Sequence, residues 1–270
     1  MNIKYIEKIL ICLFIILSLF LAGCSKNNSY DKINEIKKRG VIFVGTTGDY
    51  QPMSYLDKKT NKYVGYDTAL TEDLAKSLGV NIKYIPTSWP TLLEDTINKK
   101  FDLAICGITI TKDRKKYALM SDGYLKNGKT ILCRKEDANK YKNLYDLNKP
   151  SIHIMENPGG ENEKFVRKNL PNATLTIHSR NEEIPDLIAA GKADVMITEI
   201  VEAKFYSSKN NKLAAPLSDT PFVGGNIGIL IPKENKTLLN YVNKFLERER
   251  KSGRLDELVK IYVNIEKHTD

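Results

Sequence analysis

From residue 41 onward the apolar positions of the chain switch between two periods. "VIFVGTTG" is a short apolar run ending in glycine and reads as a buried strand. Beyond it Leu70, Leu74 and Leu78 fall on one helix face, with Asp67 as a candidate cap at the start and Gly79 as the stop. "VNIKYIP" reads as a strand, "WPTLLEDTINKK" as a helix with Pro90 in its first turn, and "FDLAICGIT" as another buried strand. The order βαβαβ predicts an α/β fold with a largely parallel sheet.

The second half repeats that plan. "SIHIM", "ATLTIHS" and "KADVMIT" read as strands, and "ENEKFVRKNL" and "EEIPDLIAAG" as the helices between them. "LLEDTINKKFDLAICGIT" and "IPDLIAAGKADVMIT" both lead an amphipathic helix through a lysine into an Asp-led apolar strand. The chain therefore predicts two lobes of one design with a ligand cleft between them: lobe 1 over 31–129, lobe 2 over 130–221, and a return to lobe 1 over 222–270. "GGNIGILIP" supplies late strand character and "LLNYVNKFLERERKSGRLDELVKIYV" the last helix. No short tandem period occurs, which excludes a solenoid.

The N-terminus changes the compartment. Lys4 and Lys8 precede "ILICLFIILSLFL", which is short for a membrane span of about 20 residues. A basic start, a short apolar run and the small residues of "LAGC" predict an export signal over 1–23. "LAGC" resembles a bacterial lipobox. That resemblance implies lipid on Cys24, a polar tether over 24–30 and an anchor on the outer face of the cell membrane. Cys106 and Cys133 sit in strand-like runs and read as buried small apolar residues.

The formal net charge of +9 is carried mostly by scattered lysines, with no arginine and aromatic stripe of the kind that binds nucleic acid. No metal-ligand cluster, nucleotide loop or nucleophile triad appears, so no cofactor is expected. Candidate chemistry lies at the carboxyl ends of the predicted strands, where α/β folds bind ligands: "TTGDY", "TSWP" and "GITITKDR" in lobe 1, "ENPGG", "HSRN" and "TEIVEA" in lobe 2. In "ENPGGENEKF" Asn157, Gly159 and Gly160 open a helix whose free N–H groups make a ready anion site. Glu161 then stands at the helix start, where a carboxylate repels an anion if turned inward and favours the helix dipole if turned outward. A buried unpaired carboxylate is costly, which favours the outward posture.

"VGTTGDYQPMSYLD", "KYVGYDTALTEDLAKSLGV", "TSWPTLL", "FDLAICGITITKDR" and "DGYLKNGKT" together resemble the family-3 solute-binding proteins of amino-acid ABC transporters. The resemblance spans nearly the whole exported part and implies a two-lobed periplasmic-binding-protein-like fold. "TSWP", "NGKT", "NPGGENEKF", "LPNA" and "ADVMITEIVEA" are most similar to the cyclohexadienyl dehydratases, which share that fold. It implies decarboxylating dehydration of prephenate to phenylpyruvate, or of arogenate to phenylalanine. The alternative is a non-catalytic receptor that hands an amino acid to an ABC permease.

By that resemblance Arg114 clamps a ligand carboxylate, with the hydroxyls of Thr109 and Thr111 beside it. Trp89 packs on the ligand or caps the core of lobe 1, and Ser88 is a weaker candidate beside it. Lys129 adds positive charge near the ligand or lies on the lobe connection. Glu161 replaces the threonine usual at its position, and Glu199 replaces the aspartate that holds a ligand ammonium. Glu202 matches an acid that the dehydratases carry. It is the expected general acid for the departing ring hydroxyl, against the plain reading of a solvated first-turn residue.

Overall fold

The protein is described by a computed structural model covering residues 31–263. The expected leader, Cys24 and the tether lie outside the described residues. Among the described residues no helix is long and apolar enough to cross a membrane.

The first sheet has the strand order Asn81–Pro86, Val41–Thr46, Leu103–Ala104, Leu230–Ile231, Leu119–Met120. Its first three strands run parallel, and Leu230–Ile231 pairs antiparallel with the neighbour on each side. The second sheet orders Thr174–Ile177, His153–Glu156, Val195–Glu199, Leu125–Arg134 and Leu213–Ala214. Again the first three are parallel, and Leu125–Arg134 pairs antiparallel with its neighbours. The repeat legible in the chain is thus a repeat of topology, since both halves place their first strand between the second and third. The expectation of largely parallel sheets holds for those repeated units. It fails beyond them, where the next strand in each sheet, Leu230–Ile231 in the first and Leu125–Arg134 in the second, comes directly after a crossing between the lobes and runs antiparallel.

Burial follows the periodicity. Leu70, Leu74 and Leu78 of the helix Tyr66–Leu78 pack with Ile42, Val44, Leu103 and Phe245 in the first core. Ile131, Ile154, Val166, Val195 and Ile197 build the second. Cys106 and Cys133 are buried and unpaired. Gly79 ends its helix in the left-handed conformation (φ 72°), as its position implied.

Several boundaries differ from expectation. Asp67 is no cap. Gly65 occupies that position, and Asp67 is buried in the first turn, accepting from Gly107 N–H and from Tyr124 Oη at 2.6 Å. Pro90 precedes the helix Leu92–Ile97 instead of lying in its first turn. The C-terminal helix is two, Lys236–Lys251 and Arg254–Leu258, broken where Gly253 adopts φ 81°. The crossings also move. Leu125–Arg134 lies wholly in the second sheet and pairs with Val223–Ile227, so the chain leaves the first lobe at Tyr124 and re-enters it at Gly228. The residues "NGKT" are therefore strand. Strand alternation sends Asn127 and Lys129 to the same face, toward the cleft.

Candidate functional site

The strand ends of both lobes meet around one cavity with about 340 Å³ of empty volume, part of it open to solvent. Lobe 1 contributes Tyr50, Trp89, Gly107, Thr109 and Arg114. Lobe 2 contributes Lys129, Asn157, Gly160, Glu161, Asn162, Asn181 and Glu199.

Arg114 follows from local helix chemistry. Thr111 caps the helix Lys112–Tyr117 by accepting from Arg114 N–H at 3.2 Å, which sets the arginine in the first turn facing the cleft. The side chain is buried, and among the described residues its guanidinium makes one hydrogen bond, Nη1 to Thr109 O at 2.6 Å. Burial pulls its pKa below the ordinary arginine value, and Glu161 and Glu199 oppose that shift. A buried guanidinium with most of its N–H donors unspent is equipped for a carboxylate.

Glu199 ends the strand Val195–Glu199 and ties the two lobes together. It accepts from Tyr50 Oη at 3.1 Å and from Thr109 Oγ1, both in lobe 1. From lobe 2 it accepts Asn127 Nδ2 at 2.6 Å and Lys129 Nζ at 2.9 Å. Lys129 also donates to Asn162 Oδ1. Both members of this ion pair are buried. Lys129 thus gives the Glu199 carboxylate an ammonium partner from within the protein.

Opposite, Gly159 in the left-handed conformation (φ 77°) turns the chain into the helix Glu161–Asn169. First-turn N–H groups have no intrahelical acceptor. Glu163 reaches back to accept Gly159 N–H at 2.6 Å, leaving the groups nearest the cavity for a ligand anion. Glu161 lines the cavity, and its Oε1 accepts from the exposed Lys164 at 3.0 Å. It is neither fully outward nor buried, its side chain being 22% exposed.

Glu202, expected in the cleft, does not line the cavity. It is fully buried one layer behind, accepting from Thr198 Oγ1 and from Asn181 Nδ2 at 2.9 Å, and Asn181 is the residue that reaches the cavity wall. Burial raises its pKa from 4.5 to about 8. Glu156 is likewise buried and shifted upward by desolvation, with one oxygen unpartnered. A carboxyl whose folded pKa lies above its unfolded value stabilises the fold below the unfolded pKa, and that contribution is lost as pH rises through the folded one. Glu202→Gln should therefore gain stability over the parent between about pH 5 and 8, by up to a few kcal/mol. Denaturant titrations of both proteins at the two pH values measure this. A constant difference would mean that Glu202 is ionised throughout.

Of the expected site residues, Trp89, Thr109, Arg114, Lys129, Asn157, Gly160, Glu161 and Glu199 line the cavity. Ser88 is exposed and bonds Thr91 Oγ1, Thr111 serves as the cap, and Gly159 faces Pro90 across the cleft. A Cβ on Gly159 would lie 2.6 Å from Pro90 Cα. Trp89 packs edge-on to Tyr50 at 5.8 Å and donates to Asp49 Oδ1 at 3.1 Å. Tyr50, Gly107, Asn162 and Asn181 lie in or beside the strand-end stretches noted above, and Asn127 lies in "NGKT", but none of the five carries a signal of its own in the sequence.

Residues 42–265 match the family of bacterial extracellular solute-binding proteins, family 3. The chain is 34% identical to the cyclohexadienyl dehydratase of Pseudomonas aeruginosa, covering 94% of this chain and 92% of that one. Among solved structures it is similar to the ancestral amino-acid-binding protein AncCDT-1, a precursor of cyclohexadienyl dehydratase, with TM-score 0.79, 34% identity, and coverage of 87% and 100%. It is also similar to an ancestral cyclohexadienyl dehydratase, AncCDT-3, with TM-score 0.55, 45% identity, and coverage of 87% and 97%. With its repeated two-lobed fold and inter-lobe cavity, this chain belongs to the family-3 bacterial extracellular solute-binding proteins.

Proposed function

We propose that the protein is a cyclohexadienyl dehydratase. The observation that carries this reading is the Lys129–Glu199 pair. In the amino-acid receptors that this chain resembles, the carboxylate at the end of this strand is the one left for the ligand's ammonium. Here Glu199 already holds four protein donors, one of them cationic. The 34% identity to a dehydratase supports the same reading.

In this reading the substrate's α-carboxylate lies against Arg114 and the N-terminus of Glu161–Asn169, its ring lies against Trp89, and its hydroxyl end faces Lys129 and Glu199. The site takes up one proton with the substrate as the lobes close. The Lys129–Glu199 pair delivers that proton to the ring hydroxyl, whose C–O bond breaks to release water. The bond from the ring to its carboxylate also breaks. Its electron pair enters the ring and CO₂ departs. Prephenate dianion plus one proton gives phenylpyruvate, CO₂ and water, and aromatisation drives the reaction. Exclusion of water by the closed cleft strengthens the donor's electrostatics. Glu202 acts through Asn181 as a positioning residue. The test is to incubate the purified protein with prephenate and with arogenate and to follow phenylpyruvate and phenylalanine. No turnover of either, together with tight binding of an amino acid, would make it a transport receptor instead.

The apolar leader and "LAGC" support an outer-face lipid anchor at Cys24. Two acyl chains hold a protein to a bilayer stably. Cys24→Ser is expected to release it into the medium or leave an uncleaved precursor. Retention of the variant on the membrane at full mature size would refute the anchor.

A further inference from the structure

We infer that Glu161 makes this protein selective for the α-amino form of its substrate, arogenate, over the α-keto form, prephenate; the inference rests on the dehydratase reading. Two carboxylates line the cavity, Glu161 and Glu199. Glu199 is saturated by Tyr50, Thr109, Asn127 and Lys129. Glu161 accepts through Oε1 from Lys164, a lysine 62% exposed, and its Oε2 has no protein partner among the described residues. It is therefore the cavity carboxylate still open to a ligand cation.

Its position fixes which ligand cation that is. Glu161 is the first residue of the helix whose N-terminus faces the cleft, and it shares the cavity wall with Arg114. A ligand carboxylate held between Arg114 and that helix start brings its own α-carbon within reach of the Glu161 side chain. An α-ammonium there gains an ion pair. An α-keto oxygen meets a carboxylate that has no proton to donate. Charge acts in the same direction. The cavity wall carries Arg114 and Lys129 against Glu161 and Glu199, which sums to about zero and gives a dianion no net attraction. Prephenate brings two carboxylates, one on the ring and one at the end of its α-keto side chain, and no cation. Arogenate brings the same two, with an ammonium on the α-carbon of the side chain.

The test uses two pairs of compounds that differ at this one group. Turnover is compared for arogenate and prephenate, and calorimetric binding for phenylalanine and phenylpyruvate, with parent, Glu161→Gln and Glu161→Thr. The parent should favour the amino member of each pair by roughly 10- to 100-fold, the usual worth of a charged hydrogen bond. Both variants should lose most of that preference, and prephenate turnover should rise in absolute terms. If both substrates turn over and the ratio is the same in parent and variants, Glu161 does not select and the inference fails while the enzyme reading stands. If neither substrate turns over, the enzyme reading and this inference fall together. Melting curves of the three proteins guard against a trivial loss of fold.

Discussion

Arg114→Ala is expected to weaken binding of phenylalanine and of phenylpyruvate by about 2–5 kcal/mol, a loss of roughly 30- to several-thousand-fold. The magnitude comes from what remains after the change. The cavity would keep Glu161 and Glu199 and a single cation, Lys129, already paired to Glu199. A ligand carboxylate would then enter a site of net negative charge with helix N–H groups as its main donors. Stability should move differently from affinity. The guanidinium is buried, its one internal bond goes to the Thr109 carbonyl, and burial depresses its pKa, so the unliganded fold bears a desolvated cation. Removing it should leave the melting temperature unchanged or raise it, which separates loss of the clamp from loss of the fold. Arg114→Lys should fall between, since an ammonium keeps the charge but not the two-pronged geometry. Affinity equal to the parent's in Arg114→Ala would mean that ligands bind elsewhere.

The position of Arg114 at the cavity was legible because its stretch is local: a buried strand, a glycine, a threonine cap and an arginine in the next turn are all neighbours in "FDLAICGITITKDR". The repeated lobes were legible for the same reason, since each helix–strand unit advertises its own period. Partnerships across large sequence distances were not. Asp67 looked like a cap because its spacing to Leu70 fits one, but Gly107 and Tyr124, 40 and 57 residues away, claim its oxygens. Burial lifts its pKa to about 7, a shift that no local pattern signals. Lys129 could be read as contact or connector because the run "LKNGKTILCR" gives no hint that its first half joins the second sheet. Glu199 and Glu202 lie three residues apart in one motif, and the chain alone cannot say which faces the cavity. The strand ends at Glu199, leaving that side chain at the sheet's carboxyl edge, and the turn into the helix Ile200–Lys209 rotates Glu202 back beneath it.

That assignment of the two acids is the sharpest point for experiment. Glu199→Gln is expected to lower turnover by ~10²–10⁴-fold, the usual share of a general acid. Gln keeps the size of the side chain and can accept from Tyr50 and Thr109, so the lobes should still close and product affinity should change by less than about tenfold. What it lacks is the charge that holds Lys129 and the capacity to carry a proton to the hydroxyl. Glu199→Asp should do better than Gln, because the carboxylate is restored one methylene short and only the approach to Lys129 and Asn127 is lengthened. Glu202→Gln should stay within about tenfold of the parent, since a residue that reaches the cavity only through Asn181 can lose its proton without removing the donor. The pH dependence of turnover adds an independent readout. If Glu202 were the acid, activity would fall as its proton leaves near pH 8, and Glu202→Gln would abolish both that limb and the activity. A large loss in Glu202→Gln with near-normal turnover in Glu199→Gln would reverse the assignment. It would also require that the lobes open far enough, with substrate bound, to expose a carboxyl that is fully buried here.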